Sequence, residues 1–125
     1  MTRTLIRWMV AGLLLVFYQG AVCAHHGTAA YDMEKSLTLK GVVISYEFIN
    51  PHAEIRVAVT DDAGHTVNWL AETNNPNRLA RRGWSRNTLK PGDAITIIGN
   101  PVKSGAPDLR LTKVVLANGT ELDPL

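Results

Sequence analysis

The sequence has a single cysteine, Cys23, so an intramolecular disulfide and any zinc site built from several thiolates are excluded. No apolar run is long enough to cross a bilayer. The stretch Trp8 to Tyr18 is uninterrupted by charge but has only 11 residues, against the roughly 20 a spanning helix needs. Charge of one sign is not in excess, with 13 Lys+Arg against 11 Asp+Glu. That gives no basis for a nucleic-acid partner. No nucleophile elbow, phosphate loop or pair of catalytic carboxylates is present, so nothing supports a hydrolase or transferase. Internal repeats and low-complexity tracts are also absent.

What is there begins with a secretion signal. Arg3 and Arg7 form a positive n-region, Trp8 to Tyr18 an apolar h-region, and Gln19-Gly20 a polar, flexible c-region. Val22 and Ala24 supply the small residues wanted three and one before the cut. Cleavage after Ala24 is expected. The alternatives are an uncleaved N-terminal anchor and a lipoprotein signal on Cys23, for which Val22 is a poor preceding residue. Removing 24 of the 125 residues leaves 101, enough for one domain with a modest core. Two of the 13 Lys+Arg leave with the signal, so 11 remain against 11 Asp+Glu and the formal net charge becomes zero. Cys23 leaves as well. The expected product is a monomer in the periplasm or beyond, which meets the membrane only during export. It divides into an arm, 25–35, and a folded domain, 36–125.

Strand signals dominate that domain. Leu37 and Leu39 alternate with polar neighbours, then Val42, Ile44, Tyr46 and Phe48 continue on the other phase. The slip at Lys40-Gly41 predicts a β-bulge there. Asn50-Pro51 marks a turn, after which Ala53, Ile55, Val57 and Val59 alternate with Glu54, Arg56, Ala58 and Thr60 in the clearest half-buried strand. Asp61 to Gly64 reads as a hairpin loop and Thr66 to Glu72 as a third strand. One short helix follows, with Asn75 as N-cap, Pro76 in its first turn, Leu79 and Ala80 facing inward and Gly83 closing its end. Trp84 is expected to pack just beyond it. Further strands are predicted over Ala94 to Gly99 and Leu109 to Leu116, with a stub of a sixth at Glu121-Leu122 after the Asn118-Gly119 turn. Tyr31 is the residue of the arm suited to pin it to the domain.

Three strands, a short helix, then two strands, with a bent first strand, predict a mainly β protein. The expected architecture is a five-stranded OB-like Greek-key barrel with the helix between strands 3 and 4. An open β-sandwich with one helix is the alternative. Neither constrains function.

Several segments taken together carry a resemblance. They are His25-His26, Thr38-Leu39-Lys40-Gly41-Val42, Phe48-Ile49-Asn50-Pro51-His52, Val67-Asn68-Trp69, Asn75-Pro76-Asn77, Arg82-Gly83-Trp84 and Leu89-Lys90-Pro91-Gly92-Asp93. Their combination resembles a bacterial family of small exported proteins of unknown function, DUF family six-one-five-two, over essentially the whole mature chain. Gly27-Thr28 departs from the serine and aromatic expected after the two histidines. The resemblance implies an exported domain and no activity.

The residues able to carry chemistry are histidines. Cleavage after Ala24 makes His25 the first residue, and a free α-amine beside an imidazole is a chelate suited to Cu(II), which prefers nitrogen ligands in a tetragonal set. His26 adjoins it. His52, on the proline-fixed turn, is the best third ligand. Glu47 and Glu54 flank that turn as candidate partners of the ligands or as a carboxylate ligand. His65 reads as an exposed hairpin residue. Arg78, Arg81, Arg82 and Arg86 form a basic cluster, and Trp69 and Trp84 are aromatic. These suit either a docking surface for a peptide, glycan or envelope protein, or a solvated helix face and ordinary core packing. Three functions therefore stand: an exported module binding copper through His25, His26 and His52; a metal-free envelope interaction domain using Trp84, Arg81, Arg82 and Arg86; and, last, a copper-dependent oxidoreductase.

Overall fold

The computed structural model describes residues 27–125. Residues 1–24, the segment expected to be a secretion signal, with Cys23, and the two histidines His25 and His26 lie outside the described residues. A 3-10 turn, Thr28–Ala30, leads into six strands: β1 (Leu37–Glu47), β2 (Glu54–Thr60), β3 (Thr66–Glu72), β4 (Ala94–Pro101), β5 (Asp108–Leu116) and β6 (Glu121–Leu122). A single short helix, α1 (Pro76–Arg81), lies between β3 and β4. The strands form one sheet in the order β3-β2-β1-β4-β5-β6. An additional parallel pairing of β3 with β5, from Leu70–Asp108 to Glu72–Arg110, closes the first five into a barrel. This is the mainly β, five-stranded, OB-like architecture predicted, with the helix in its predicted place.

Strand β1 makes closure possible by serving two neighbours. Leu37 to Val42 pairs with β4, and Val42 to Glu47 pairs with β2. The predicted phase slip exists, but it falls between Val43 and Ser45 rather than at Lys40-Gly41. Val43 is 2% exposed, whereas Val42 and Ile44 are 45% and 42% exposed and point outward. The sequence misplaces the slip because Gly41 occupies an inward position with no side chain to announce it. A Cβ there would collide with the Ala58 carbonyl oxygen and come within 2.6 Å of Val57 Cγ1. Glycine at this position permits close approach of two backbones rather than a bulge.

The core lies inside the barrel. Ile55, Val57, Ala71, Ile97, Leu109, Leu111 and Val114 are wholly buried, and the alternation on β2 is the one its sequence predicts. Leu79, Trp84 and Leu89 join the same cluster from α1 and the loop after it. Asn75 caps α1 by accepting a hydrogen bond from the Arg78 N–H at 3.0 Å, and Gly83 ends it at φ 84°. Leu79 is the buried residue of the helix, and burying a leucine contributes roughly 1.5–3 kcal/mol. Ala80, expected inside, is exposed. Six residues make less than two turns, and the barrel receives one side chain from them. Among the described residues no helix is long and apolar enough to cross a membrane.

Candidate functional site

The feature that distinguishes one end of the barrel is a carboxylate shared by two partners. Glu72, the last residue of β3, accepts a hydrogen bond from the Tyr31 hydroxyl at 2.7 Å through one oxygen. Through the other it accepts one from His52 Nδ1. An ionised carboxylate oxygen can only accept, so this contact calls for a hydrogen on His52 Nδ1. Tyr31 belongs to the N-terminal arm, and His52 to the loop between β1 and β2. Glu72 thus joins three separate parts of the chain.

Local structure explains why they meet. His52 immediately precedes Ala53, whose backbone exchanges hydrogen bonds with Thr73 and Asn74 just beyond the end of β3. The hairpin register sets Glu54 opposite Glu72. On the arm, the Thr28–Ala30 turn is tied down by Asp32 N–H to the Pro101 carbonyl at 2.8 Å and by Lys103 N–H to the Ala30 carbonyl at 2.9 Å. Tyr31 forms an isolated bridge with Val102 and is 5% exposed. The expected pinning of the arm by Tyr31 is observed. Burial, reinforced by the hydrogen bond to Glu72, pushes its phenol well above the ordinary tyrosine value.

Gly27, Tyr31, His52 and Glu72 line one cleft together with Thr28 and Arg110. The His52 side chain is 44% exposed in it and Glu72 21%. The same level of the barrel carries an unusual row of charge. Glu47 lies opposite Glu54, Glu54 opposite Glu72, and Glu72 opposite Arg110. Opposed like charges on adjacent strands destabilise a sheet. Here Arg56, 3.6 Å from Glu54, and Arg110, opposite Glu72, offset part of that cost, and the His52 ring bonds to Glu72.

The predicted residues distribute unevenly over this site. His52 is at its centre. Glu54 lines a neighbouring cleft that shares Gly27, Tyr31, His52 and Glu72 with the first, but its ionic partner is Arg56. Glu47 is exposed and lies one strand farther away. The carboxylate that meets His52 is Glu72, which sequence reasoning missed. The available signal was the hairpin: counting outward from its Thr60–Thr66 closing pair puts Glu72 across from Glu54, two residues from His52. His65 lies apart, exposed and hydrogen-bonded to Asp61 at 3.3 Å. Its backbone N–H, the largest influence on Asp61, holds that carboxyl below the ordinary range. Among the described residues, no three His, Cys, Asp or Glu side chains converge closely enough to hold a metal ion by themselves.

The candidate docking residues separate as well. Trp84 is 3% exposed, packs against Tyr46 and donates from Nε1 to the Asp123 carbonyl at 3.2 Å, so it presents no surface. Trp69 packs against the core. Arg82 pairs with Asp123 at 3.0 Å, while Arg78, Arg81 and Arg86 are exposed. A domain this small uses its tryptophans to fill volume.

The profile of a family described as "Family of unknown function (DUF6152)" matches residues 13–109. No curated protein matches the chain.

Proposed function

The chain belongs to the DUF6152 family of unknown function, and from that premise we propose that it is an exported module binding one copper ion through His25, His26 and His52. One observation supports the reading above others: Gly27 lines the same cleft as His52. Gly27 follows His26 directly in sequence, so the chain enters the described cleft one residue after the two histidines. His52 contributes an imidazole whose Nδ1 bonds to Glu72, with no hydrogen bond to its Nε2 among the described residues. Cleavage after Ala24 gives His25 a free α-amine, and amine and imidazole nitrogens suit Cu(II). His52 alone is too few ligands, and the remainder come from the processed terminus. Binding is therefore conditional on export.

The test uses mature protein with a verified His25 terminus. It takes up one equivalent of Cu(II), seen as intact mass under non-denaturing conditions and by titration. Adding one residue before His25 abolishes tight uptake while the circular dichroism spectrum is unchanged, and His52→Ala weakens uptake. Undiminished affinity in the extended protein refutes binding through the terminal amine.

A further inference from the structure

We infer that Glu72 and Tyr31 are positioning residues for the proposed metal site: Glu72 fixes the tautomer and direction of His52, and Tyr31 ties the N-terminal arm to the same carboxylate. This rests on the copper-binding reading for its purpose but not for its geometry. A histidine ligand needs one nitrogen with its lone pair toward the metal and the other held by an acceptor. A carboxylate is a common acceptor because its charge stabilises the N–H donor and raises the basicity of the ligating nitrogen. His52 and Glu72 have this relationship. In water a neutral imidazole favours hydrogen on Nε2, the tautomer that blocks Nε2 ligation. The Glu72 carboxylate reverses that preference before any metal arrives.

Tyr31 adds a second constraint. Its hydroxyl takes the other oxygen of Glu72, so the carboxylate cannot rotate without breaking one bond or the other. Its ring is buried and its backbone is bridged to Val102. The described part of the arm, from Gly27 onward, is therefore held beside His52. Preorganisation of this kind lowers the ordering cost that binding must otherwise overcome. Three residues separate Tyr31 from Gly27 and they form a compact 3-10 turn, which leaves little slack between the anchor and the cleft.

The experiment has one arm without metal and one with it. In metal-free mature protein, above the pH range where imidazole titrates, nitrogen-15 NMR of the ring identifies the tautomer. Wild-type His52 is expected with hydrogen on Nδ1. Glu72→Ala shifts it toward hydrogen on Nε2, and Glu72→Gln, whose amide oxygen still accepts, retains the wild-type form. With Cu(II), Glu72→Ala lowers affinity about 10–100-fold and changes the copper EPR spectrum. Tyr31→Phe keeps the buried ring and lowers affinity about tenfold, toward the small end of that range. The Tyr31→Phe loss disappears when one residue is added before His25, because the arm then supplies no terminal ligand. A wild-type His52 with hydrogen on Nε2, or an unchanged tautomer in Glu72→Ala, overturns the role of Glu72 whether or not copper binds. A Tyr31→Phe loss that persists in the extended protein overturns the role of Tyr31. The expected tautomers without copper uptake refute the copper-binding reading and leave the hold of Glu72 on His52 standing.

Discussion

Tyr46 is the residue whose chemistry is least satisfied by its surroundings. Its ring packs edge-on to Phe48, with centroids 6.0 Å apart, and at a tilt to Trp84. Its hydroxyl is buried with no hydrogen-bond partner among the described residues. A buried, unpaired hydroxyl carries a desolvation cost, so Tyr46→Phe is expected to raise stability by about 1 kcal/mol at neutral pH. Burial also pushes the Tyr46 phenol well above its ordinary value of 10.0. The folded state then holds this proton more tightly than the unfolded chain. Its contribution is complete below the unfolded value and is lost as pH rises through and beyond 10.0. Tyr46→Phe should therefore flatten the alkaline fall in stability, leaving Tyr31 as the other phenol shifted upward. Urea unfolding at neutral and at strongly alkaline pH checks both statements. A less stable phenylalanine variant at neutral pH points to a partner for the hydroxyl outside the described residues.

At the scale of elements, two glycines let strands cross closely, and only one of them is conspicuous in sequence. Gly41 draws notice because the apolar pattern breaks beside it. Gly99 sits inside the apolar run of β4, where the register against β5 shifts between Ile98 and Gly99. A Cβ at Gly99 would collide with the Arg110 carbonyl oxygen and come within 2.7 Å of Leu109 Cδ1. Backbone cannot yield as a flexible side chain does, so Gly99→Ala is expected to cost roughly 1–3 kcal/mol through overpacking. The midpoint of urea unfolding measures it, and an unchanged midpoint would show that β4 and β5 separate freely here. β2 and α1 contrast with this. Strict alternation from Ala53 to Val59 and the Asn75-Pro76 start of the helix are local signals, and both appear where the sequence puts them. Ala80 fails because a helical face predicted from two apolar residues does not say which of them the barrel can reach.

For the whole molecule, closure is the decisive property. The β3–β5 pairing runs over three residue pairs, leaving only residues 66–69 of β3 without a partner on that side. Closed sheets offer little edge for another chain to extend, so the mature protein is expected to sediment as a monomer; a concentration-dependent dimer would show that the remaining edge or the exposed Val42 and Ile44 are used. The succession of strands, the helix after β3, the buried face of β2 and the candidacy of His52 are legible in the amino-acid order alone. Those features depend on periodicity, turn residues and residue chemistry within a few positions. The folded chain alone reveals that the β1 register shifts between Val43 and Ser45, that Trp84 is core, and that Glu72 rather than Glu47 or Glu54 engages His52. The last of these required Tyr31, His52 and Glu72 to meet across separations of 20 and 41 residues. The physical reason is that strand pairing and barrel closure bring distant positions together, whereas a linear pattern reports only which side of its own strand a residue faces.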